Sequence, residues 1–396
     1  MAEFRRVYLD NSATTPIAPE VLDAMMPYLT AKFGNASSIH YFGQEAKAAV
    51  DKARHQVAEL LNARPNEIVF TSGGTEANNL AIRGLAQANP SGKHIITSVI
   101  EHSAVQNPCQ DLEKQGYDVT YLQVHDNGIV RMDDVREAVR DDTFLISIMA
   151  ANNEIGTLQP VEEIGRFVRE LRADGRKIWF HTDAVQAAGK IDIDVEEIGC
   201  DLLSISAHKI YAPKGVGCLY VRRGVRLHPQ NLGGHQERER RGGTEAVPNL
   251  VAFGAAAEMV KNELETSSAT LASLRDRLES SICEMIPDTT VNGDPGRRIP
   301  TVSNISFDSI EGEGLLINLD MNGIAVSTGA ACSSGTIEPS PIIKALGASD
   351  ERSRGAIRFS FGRFNSADDV DRVLDILPRA VESLRSLGRA NRQGTP

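Results

Sequence analysis

Residues 204–217 read Ser204-Ile205-Ser206-Ala207-His208-Lys209-Ile210-Tyr211-Ala212-Pro213-Lys214-Gly215-Val216-Gly217. A short apolar strand, predicted from Asp201 to Ile205, ends here in a polar turn that contains Lys209 and is followed by a Pro-Gly-rich bend. A lysine at the end of a buried strand can lose part of its hydration and become the neutral amine that forms a Schiff base with a carbonyl. A single lysine in a turn is more often a solvated surface residue. The role of Lys209 therefore depends on what the rest of the chain brings to it.

The composition is typical of a globular protein. The chain has 396 residues, of which 41% are hydrophobic and 24% charged, so it can bury a large core divided into two or three domains. The formal net charge is -11, from 53 acidic and 42 basic residues. Because phosphate backbones are bound by clustered lysine and arginine, this balance argues against direct nucleic-acid binding. Small molecules and proteins are the expected partners.

The cysteines and the N-terminus predict a cytoplasmic protein. The five cysteines are odd in number, far apart and never spaced as Cys-x-x-Cys: Cys109, Cys200, Cys218, Cys283 and Cys332. This pattern is typical of a reducing compartment and argues against a disulfide framework or a zinc ribbon, so no metal is expected. The first six residues contain no apolar signal core, and no run of about eighteen apolar residues occurs. We expect no membrane contact.

The pattern from Glu67 onward predicts an α/β fold. Short β-branched runs alternate with helical patterns, which indicates parallel strands joined by crossover helices. Several of the runs are apolar throughout, as strands covered on both faces must be. The predicted strands cover residues 68–70, 94–100, 119–124, 144–149, 178–181, 202–205 and 218–221. The expected architecture is a three-layer α/β/α sandwich with a mostly parallel sheet.

A smaller α+β domain is predicted beyond this sheet. A long helix from Val247 to about Ser280 leads into it. The pattern then predicts a strand at 301–307, a helix near 313–321, a strand pair at 324–327 and 357–360, and a closing helix from 367 to about 387. The N-terminal strand at Val7 is expected to join this domain. We therefore assign residues 15–261 to the large domain, and residues 1–14 with 262–396 to the small one.

The segment from Thr71 to Asn79 predicts an anion site. It follows a strand and opens a helix, so free backbone N–H groups and the positive end of the helix face one point. Gly74 allows close approach, and Thr75 adds a hydroxyl group. A phosphate is the obvious guest, although a tight turn with a helix N-cap would give the same pattern. Ser206 and His208 could supply further donors.

Polar residues follow other strands of the same sheet: His102, Asn153, Asp183 and Gln186. Ligands of such sheets bind beyond the carboxyl ends of the strands, so these side chains are expected to meet Lys209. An aspartate about 25 residues before a strand-end lysine suits a pyridine-ring cofactor. Its carboxylate keeps the ring nitrogen protonated and makes the ring an electron sink. The set predicts pyridoxal 5'-phosphate (PLP), with Lys209 as the Schiff-base lysine.

The chain resembles the class V aminotransferases and, among them, the NifS/IscS-type cysteine desulfurases. The matching stretches run in order over nearly the whole chain: Tyr8–Pro16, Gly34–Ser38, Thr71–Asn79, Glu101-His102, Asn152–Gly156, Asp183–Gln186, Ser206–Gly217, Arg241–Pro248, Ser327–Gly335 and Arg358–Phe364. The resemblance implies the PLP-dependent fold type I and an enzyme that converts L-cysteine to L-alanine. Two departures, Ala36 for a common proline and Asn365 for a threonine, predict no change of function.

The resemblance also implies a role for each site residue. The cofactor-binding residues would be Gly74, Thr75, His102, Asn153, Asp183, Gln186, Ser206, His208, Lys209 and Thr244. Among them, Thr75, Ser206 and His208 would hold the phosphate, joined by Thr244 from the other subunit of a homodimer. Asp183 would pair with the ring nitrogen.

Three further roles concern the ring and the substrate. His102 would stack on the pyridine ring and move protons, while Gln186 and Asn153 would bond the phenolic oxygen and the substrate region. Asn11 and Arg358 would bind the substrate. Arg358 would hold the substrate carboxylate, a contact that suits a bidentate guanidinium.

Cys332 distinguishes the reaction. It lies among small residues and glycines in the segment 326–335, which lacks the large apolar neighbours of a core position. A buried inert cysteine is the usual case, but this segment matches the family's nucleophile loop. The resemblance therefore implies a persulfide on Cys332, with Lys209 and His102 as the other catalytic residues. The remaining four cysteines are interpreted as structural.

Two alternatives stay open. The first is another enzyme of the same fold, a selenocysteine lyase or an aminotransferase. The second is a sulfur-trafficking partner subunit with little activity of its own, which should have lost its lysine or its cofactor aspartate. The sulfur acceptor is also open between a NifU/IscU-like scaffold and a tRNA-thiolation route. The C-terminal docking segment of IscS-type enzymes is not recognisable in Leu384–Pro396.

Overall fold

The computed structural model describes residues 6–328 and 339–393. The strands of this part of the chain are β1 Val7–Tyr8, β2 Ile68–Thr71, β3 His94–Ser98, β4 Asp118–Leu122, β5 Thr143–Ser147, β6 Trp179–Asp183, β7 Leu202–Ser206, β8 Gly217–Val221, β9 Thr289–Val291, β10 Val302–Phe307, β11 Ile324–Ala325 and β12 Ala356–Ser360. The helices are α1 Pro19–Leu29, α2 Tyr41–Leu60, α3 Gly74–Ala88, α4 Ser103–Glu113, α5 Met132–Ala138, α6 Val161–Ala173, α7 Val195–Ile198, α8 Val247–Met285, α9 Gly312–Met321, α10 Pro341–Ala345, α11 Asp350–Arg354 and α12 Ala367–Gln393.

A seven-stranded sheet forms the centre of the fold. Its strand order is β2-β8-β7-β6-β5-β3-β4. Strand β8 runs antiparallel to both of its neighbours, and the other pairs are parallel. The predicted mostly parallel sheet is confirmed. Parallel strands end at the same edge, and that is where the polar side chains identified in the sequence meet.

The two faces of the sheet are covered by different apolar clusters. Consecutive residues of one strand alternate between them: Phe70 belongs to the cluster packed with α2, α6 and α8, whereas Val69 belongs to the one packed with α3 and α4. Ile96 and Ile95 divide in the same way. This alternation follows from the period of two in a strand, and it explains why the runs are apolar throughout. The predicted three-layer α/β/α sandwich is confirmed.

A second set of strands lies outside the central sheet. Strands β9, β10 and β12 form a three-stranded antiparallel sheet, and β1 pairs in parallel with β11. The predicted strand pair at 324–327 and 357–360 was wrong in its partners. Strand β11 pairs with β1, and only an isolated bridge between Ser327 and Arg358 joins its extension to β12. The three-residue strand β9 was not predicted, because so short a run shows no alternation.

A further apolar core accompanies these strands. It combines Val7 and Leu9 from the start of the chain with residues of the second half of α8, of β10, of β12 and of α12. The first half of α8 packs instead into the core of the central sheet, through residues such as Phe253. One helix thus contributes to both cores. The predicted domain limits of 15–261, and of 1–14 with 262–396, stay a prediction.

Within the described ranges, no helix is both long enough and apolar enough to cross a membrane.

Candidate active site

A cavity of about 410 Å³ lies at the carboxyl edge of the central sheet. Most of the predicted site residues line it: Gly74, Thr75, His102, Asn153, Asp183, Gln186, Ser206, His208, Lys209 and Arg358. They come from the loops after β3, β5, β6 and β7, from the start of α3 and from β12. The expectation that these strand-end side chains converge is confirmed by their position, although their roles stay predictions.

Lys209 reaches the cavity from the turn after β7. The strand ends at Ser206, and a single 3-10 turn, Ala207–Lys209, follows it. The Nζ atom donates to the backbone oxygens of Ser12 and Ala13 at 2.5 and 2.6 Å. The side chain is half-buried, so the alternative of a solvated surface lysine is wrong. The N-terminal turn after β1 thus supplies the acceptors for the lysine ammonium.

The start of α3 has the form of an anion site. The first backbone hydrogen bond of the helix joins Ala77 N to Gly73 O at 3.1 Å, so the N–H groups of residues 74–76 precede the helical ladder. The neighbouring Gly74 packs closely, because a Cβ there would lie 2.8 Å from Val185 Cγ2. Thr75 is exposed at this helix end and Ser206 is buried beside it. Backbone and hydroxyl donors therefore lie together, as a phosphate requires.

His208 borders the same region as a neutral imidazole. Burial, followed by the charge of Lys209, lowers its pKa to about 4. Its Nδ1 atom lies 3.1 Å from the hydroxyl of Thr14. At neutral pH the ring therefore carries one N–H group that can donate to an anion, and it adds no positive charge to the cavity.

Asp183 is a buried carboxylate held by two donors. Oδ2 accepts a hydrogen bond from Asn78 Nδ2 at 2.7 Å, and Oδ1 accepts one from the backbone N of Val185 at 2.9 Å. Burial raises the pKa of Asp183, while these hydrogen bonds and the nearby His102 and Lys209 oppose the rise. A cationic N–H group in the cavity would stabilise the ionised form further.

Asn78 lies in the segment Thr71–Asn79, and the sequence alone indicates no role for it. Its side chain is buried, lines the cavity and fixes Asp183, and its Oδ1 atom has no hydrogen-bond partner among the described residues. Its position one helical turn after Gly74 could have identified it, because residues four apart share one face of a helix.

His102 caps α4 with its side chain. Nδ1 accepts from the backbone N of Ala104 at 3.0 Å, so the proton of the neutral ring is on Nε2. Burial lowers the pKa of His102, Asp183 raises it, and Lys209 lowers it again. The imidazole therefore offers the cavity an Nε2–H group. The N-cap contact also fixes the orientation of the ring.

Glu101 is a second residue whose role the sequence did not reveal. It lines the cavity, and its Oε1 atom accepts from Met149 N at 2.8 Å and Ser98 Oγ at 3.0 Å. Its Oε2 atom is buried without a partner in the described part of the chain. Burial raises the pKa of Glu101 to about 8. The group is thus a neutral carboxylic acid at pH 7, and only its position directly before the strand-end histidine hinted at a role.

Arg358 connects the cavity to the N-terminus. Nη2 lies 2.7 Å from Asp10 Oδ1, and Nη1 donates to the backbone oxygen of Asn153 at 2.8 Å. The Nε atom of Arg358 and the Oδ1 atom of Asn153 are buried and have no partner among the described residues. A buried polar atom without a partner is costly. This wall of the cavity therefore offers one donor and one acceptor to a small zwitterionic ligand.

Two predicted residues lie elsewhere. Asn11 does not line the cavity, because its Nδ2 atom donates to Ser360 O at 2.9 Å, to Tyr8 O at 3.3 Å and to Asn365 Oδ1 at 3.2 Å. The expected substrate contact of Asn11 is therefore not supported by its position. Thr244 is exposed and does not line the cavity of its own chain. Cys332 lies outside the described residues.

The other cysteines divide into two groups. Cys109, Cys200 and Cys218 are buried, and burial raises the pKa of each thiol. Cys283 is exposed on α8, and the interpretation of all four as structural stays a prediction. The buried thiols are protonated at neutral pH and unsuited to act as nucleophiles.

The residues present fit PLP. A buried carboxylate with both oxygens fixed suits the ring nitrogen, and the start of α3 with Ser206 and His208 suits the phosphate. The unpartnered amide oxygen of Asn153 and the amine of Lys209 lie at the same cavity. The donor set thus matches both ends of the cofactor.

Comparison with known proteins gives the family. The family model described as aminotransferase class-V matches residues 7–373. A curated cysteine desulfurase IscS of Methanosarcina thermophila is 51% identical over 386 residues, which cover 97% of this chain and 94% of the relative.

Solved structures agree with this match. A NifS-like protein is 36% identical with a TM-score of 0.90, covering 96% of this chain and 100% of its own. A structure described as SspA in complex with cysteine is 38% identical with a TM-score of 0.80, covering 91% and 100%. The chain therefore belongs to the class-V aminotransferase family and, within it, to the PLP-dependent cysteine desulfurases.

Proposed function

We propose that the protein takes sulfur from L-cysteine, releases L-alanine and retains the sulfur as a persulfide on Cys332, for transfer to an acceptor. The observation that supports this most is the meeting of Lys209, Asp183 and Arg358 at one cavity. They supply, in order, an amine, a carboxylate for a ring nitrogen and a guanidinium for an amino-acid carboxylate. A partner subunit without activity has no need of this set.

PLP, when bound, supplies an electron sink for the electron pair left at the substrate α-carbon. Lys209 Nζ is the group that moves the α-proton. Before it does so, its N–H groups donate to the backbone oxygens of Ser12 and Ala13. His102 offers Nε2–H as a nearby donor. Asn78 and Val185 keep the Asp183 carboxylate fixed. Arg358 orients the substrate by binding the substrate carboxylate.

The sulfur step balances without an external oxidant. The thiolate of Cys332 attacks the sulfur of the substrate, an S–S bond forms and the C–S bond breaks with its electron pair going to carbon. Protonation of that carbon completes the methyl group of alanine, so the carbon is reduced while sulfur reaches the persulfide level.

Residues on both sides of Cys332 lie next to the cavity. Ser327 forms two backbone hydrogen bonds with Arg358, at 3.2 and 2.6 Å. On the other side, Ser340 Oγ donates to Glu154 at 2.6 Å, and Pro341 and Ile342 line the cavity. These positions support Cys332 as the residue that receives the sulfur.

Replacement of Cys332 tests the function. Cys332→Ser should lower alanine and sulfide formation from L-cysteine, in the presence of a thiol reductant, at least 100-fold while the visible absorption of the cofactor remains. Cys283→Ser, at the exposed cysteine of α8, is the control and should keep wild-type rates. Wild-type sulfide formation by Cys332→Ser would refute the proposal. Selenide formation from selenocysteine at a much higher rate would favour the selenocysteine lyase instead.

We propose a homodimer in which Thr244 contributes to the site of the other subunit. In support, large apolar side chains are exposed on α1, on the segment that follows it and in the first turn of α2: Leu22, Met26, Leu29, Phe33, Ile39, Tyr41 and Phe42. Ile39 is 93% exposed and Phe33 72%. Several large exposed apolar side chains in one stretch of chain are typical of a covered interface. Light scattering should give about twice the mass of one chain.

The acceptor, the location and the domain limits are also proposals. Relatives named IscS support delivery to iron–sulfur cluster assembly through a NifU/IscU-like scaffold, with a tRNA-thiolation route as the alternative. The unpaired, buried cysteines support the reducing cytoplasm. The separate apolar core formed by both ends of the chain supports the division into 15–261, and 1–14 with 262–396. Alanine formation measured with and without a candidate scaffold tests the acceptor.

A further inference from the structure

Lys190 is a buried lysine that the proposed chemistry does not use. Lys190 is only 8% exposed. No carboxylate of the described residues lies within ion-pair distance of its Nζ atom. Burial, followed by the charges of Lys209 and Arg358, lowers the pKa of Lys190 to about 7. A buried cation without a counter-ion is costly. The contacts of Lys190 indicate what it does at this place.

The backbone places Lys190 behind the cavity. The preceding Gly189 has φ of +69°, and a Cβ there would lie 2.9 Å from Val260 Cγ2 of α8. The turn therefore packs against α8, and Ser268 of that helix donates to the backbone oxygen of Lys190 at 2.8 Å. Lys190 borders a small internal void of about 20 Å³ and not the cavity itself.

The contact of Lys190 is with Gln186. Nζ of Lys190 donates to Gln186 Oε1 at 2.7 Å. Nε2 of Gln186 donates in turn to the backbone oxygen of Ser12 at 3.0 Å. That same oxygen accepts from Lys209 Nζ at 2.5 Å. One buried network thus joins Lys190 to the site lysine through Gln186 and a single carbonyl.

This network favours one orientation of the Gln186 amide. If the amide were turned over, its NH₂ group would face the donor of Lys190 and its oxygen would face the Ser12 oxygen. The contact with Ser12 would be repulsive, because two acceptors would meet in a buried place, and the contact with Lys190 would be repulsive when its amine is protonated, because two donors would meet. With the observed orientation, one N–H bonds Ser12 and the second N–H of Gln186 remains for a ligand in the cavity.

We propose that Lys190 is a positioning residue, which fixes the Gln186 amide so that Gln186 acts as a donor toward the oxygen of the bound cofactor. This inference rests on the proposed use of PLP. Lys190 contacts neither cofactor nor substrate and acts through Gln186 alone.

Cofactor release from the full-length holoenzyme tests the proposal. Lys190→Met removes the donor while keeping the length of the side chain, and should raise the rate of PLP release roughly 5- to 20-fold, which corresponds to the loss of about one hydrogen bond. Gln186→Met should have an effect of similar size. The double variant Lys190→Met/Gln186→Met should release PLP no faster than Gln186→Met, because Lys190 acts only through the amide. Lys177→Met, at an exposed lysine, is the control and should release PLP at the wild-type rate.

Two results would overturn the proposal. One is a Lys190→Met variant that releases PLP as slowly as Lys177→Met. The other is an effect of Lys190→Met that persists in the Gln186→Met background, which would indicate a structural role without the amide. Gln186→Glu is the second probe, because it keeps Lys190 but replaces the NH₂ group by an acceptor. It should also speed release, and unchanged release would refute the donor role. A wild-type protein that retains no PLP would instead contradict the proposed function.

Discussion

Asp10 and Arg358 lie 2.7 Å apart, measured from Oδ1 to Nη2, although 348 positions separate them in the sequence. Asp10 follows β1, and Arg358 lies on β12. Because Nη1 is also held, by the backbone oxygen of Asn153 at 2.8 Å, the guanidinium is fixed before any substrate arrives. A preorganised group loses little entropy when it binds its ligand.

Arg358→Lys tests this wall of the cavity. A lysine keeps the charge but cannot form the planar, bidentate contact that a guanidinium makes with a carboxylate. We expect KM for L-cysteine to rise about 10- to 100-fold, with a smaller change in kcat, because the lost contact is made equally in the ground state and the transition state. Steady-state alanine formation measures both constants.

Asp10→Asn is the matched partner variant. It leaves Arg358 in place but removes the charge that orients it, so KM should rise less than in Arg358→Lys. Arg352→Lys, whose guanidinium contacts Asn292 away from the cavity, is the control and should keep the wild-type KM. An unchanged KM in Arg358→Lys would remove Arg358 from the substrate site.

Glu101 gives the stability of the apoprotein a pH dependence. Burial raises its pKa to about 8, whereas the pKa of a glutamate in the unfolded chain is about 4.3. Between these two pKa values, the folded protein therefore binds one proton more than the unfolded chain does. The stabilisation that results is fully present below the unfolded pKa and is lost as the pH rises through the folded pKa.

Glu101→Gln should remove this dependence, because the amide keeps the shape of the side chain and cannot ionise. Relative to Glu101→Gln, the free energy of unfolding of the wild-type apoprotein should fall by about 3 to 4 kcal/mol between pH 5 and pH 8. Urea unfolding at several pH values measures it. Glu284→Gln, at an exposed glutamate, should show the wild-type dependence. Parallel curves for wild type and Glu101→Gln would contradict the neutral state of Glu101.

The hydrogen bond from Asn78 opposes the rise in the pKa of Asp183 and so favours its ionised form. Asn78 Nδ2 donates to Oδ2 at 2.7 Å, and loss of this donor would raise the pKa of Asp183 further, since burial already acts in that direction. A protonated Asp183 would no longer hold a proton on the cofactor ring. Asn78→Leu should therefore raise the rate of PLP release about 10-fold, as followed by absorbance.

Asn79→Leu is the neighbouring control. Asn79 donates to Thr75 O on the same helix at 2.9 Å and makes no contact with Asp183, so its variant should retain the cofactor much better. Equal release from both variants would show that the helix itself, and not the contact with Asp183, determines retention.

The sheet and its edge were predictable because both depend on local patterns. Strands buried on two faces are continuous apolar runs, and parallel strands all end at one edge. The polar residue after each run was therefore enough to identify Asp183, Gln186 and Lys209 as neighbours.

The remaining site residues depend on contacts that a single sequence does not encode. Asn78 and Asp183 are 105 positions apart, and the neutral state of Glu101 results from burial on all sides. The contacts of Asn11 are of the same kind. Its amide donates to Ser360 because the preceding residue, Asp10, forms an isolated bridge with Ser360 at the end of β12, a pairing across most of the chain.

The position of Thr244 raises the question of which subunit it serves. It is exposed and absent from the cavity of its own chain, which favours a role across a dimer interface. Yet Arg241, three positions earlier, pairs with Glu76 of the same chain at 2.9 Å. That contact ties the segment to the start of α3 and makes a role within one chain the alternative.

A mixed dimer distinguishes the two. Lys209→Ala removes the visible band of the lysine-linked cofactor, and Thr244→Ala should speed PLP release about 10- to 100-fold if it bonds the phosphate. In a heterodimer of these two variants, the one site with Lys209 receives Thr244 from its partner if the contact crosses the interface. The visible band of the cofactor at that site should then be lost at the wild-type rate after dilution. If each chain serves its own site, the band should be lost as fast as in the Thr244→Ala homodimer, and the proposed crossing would be refuted.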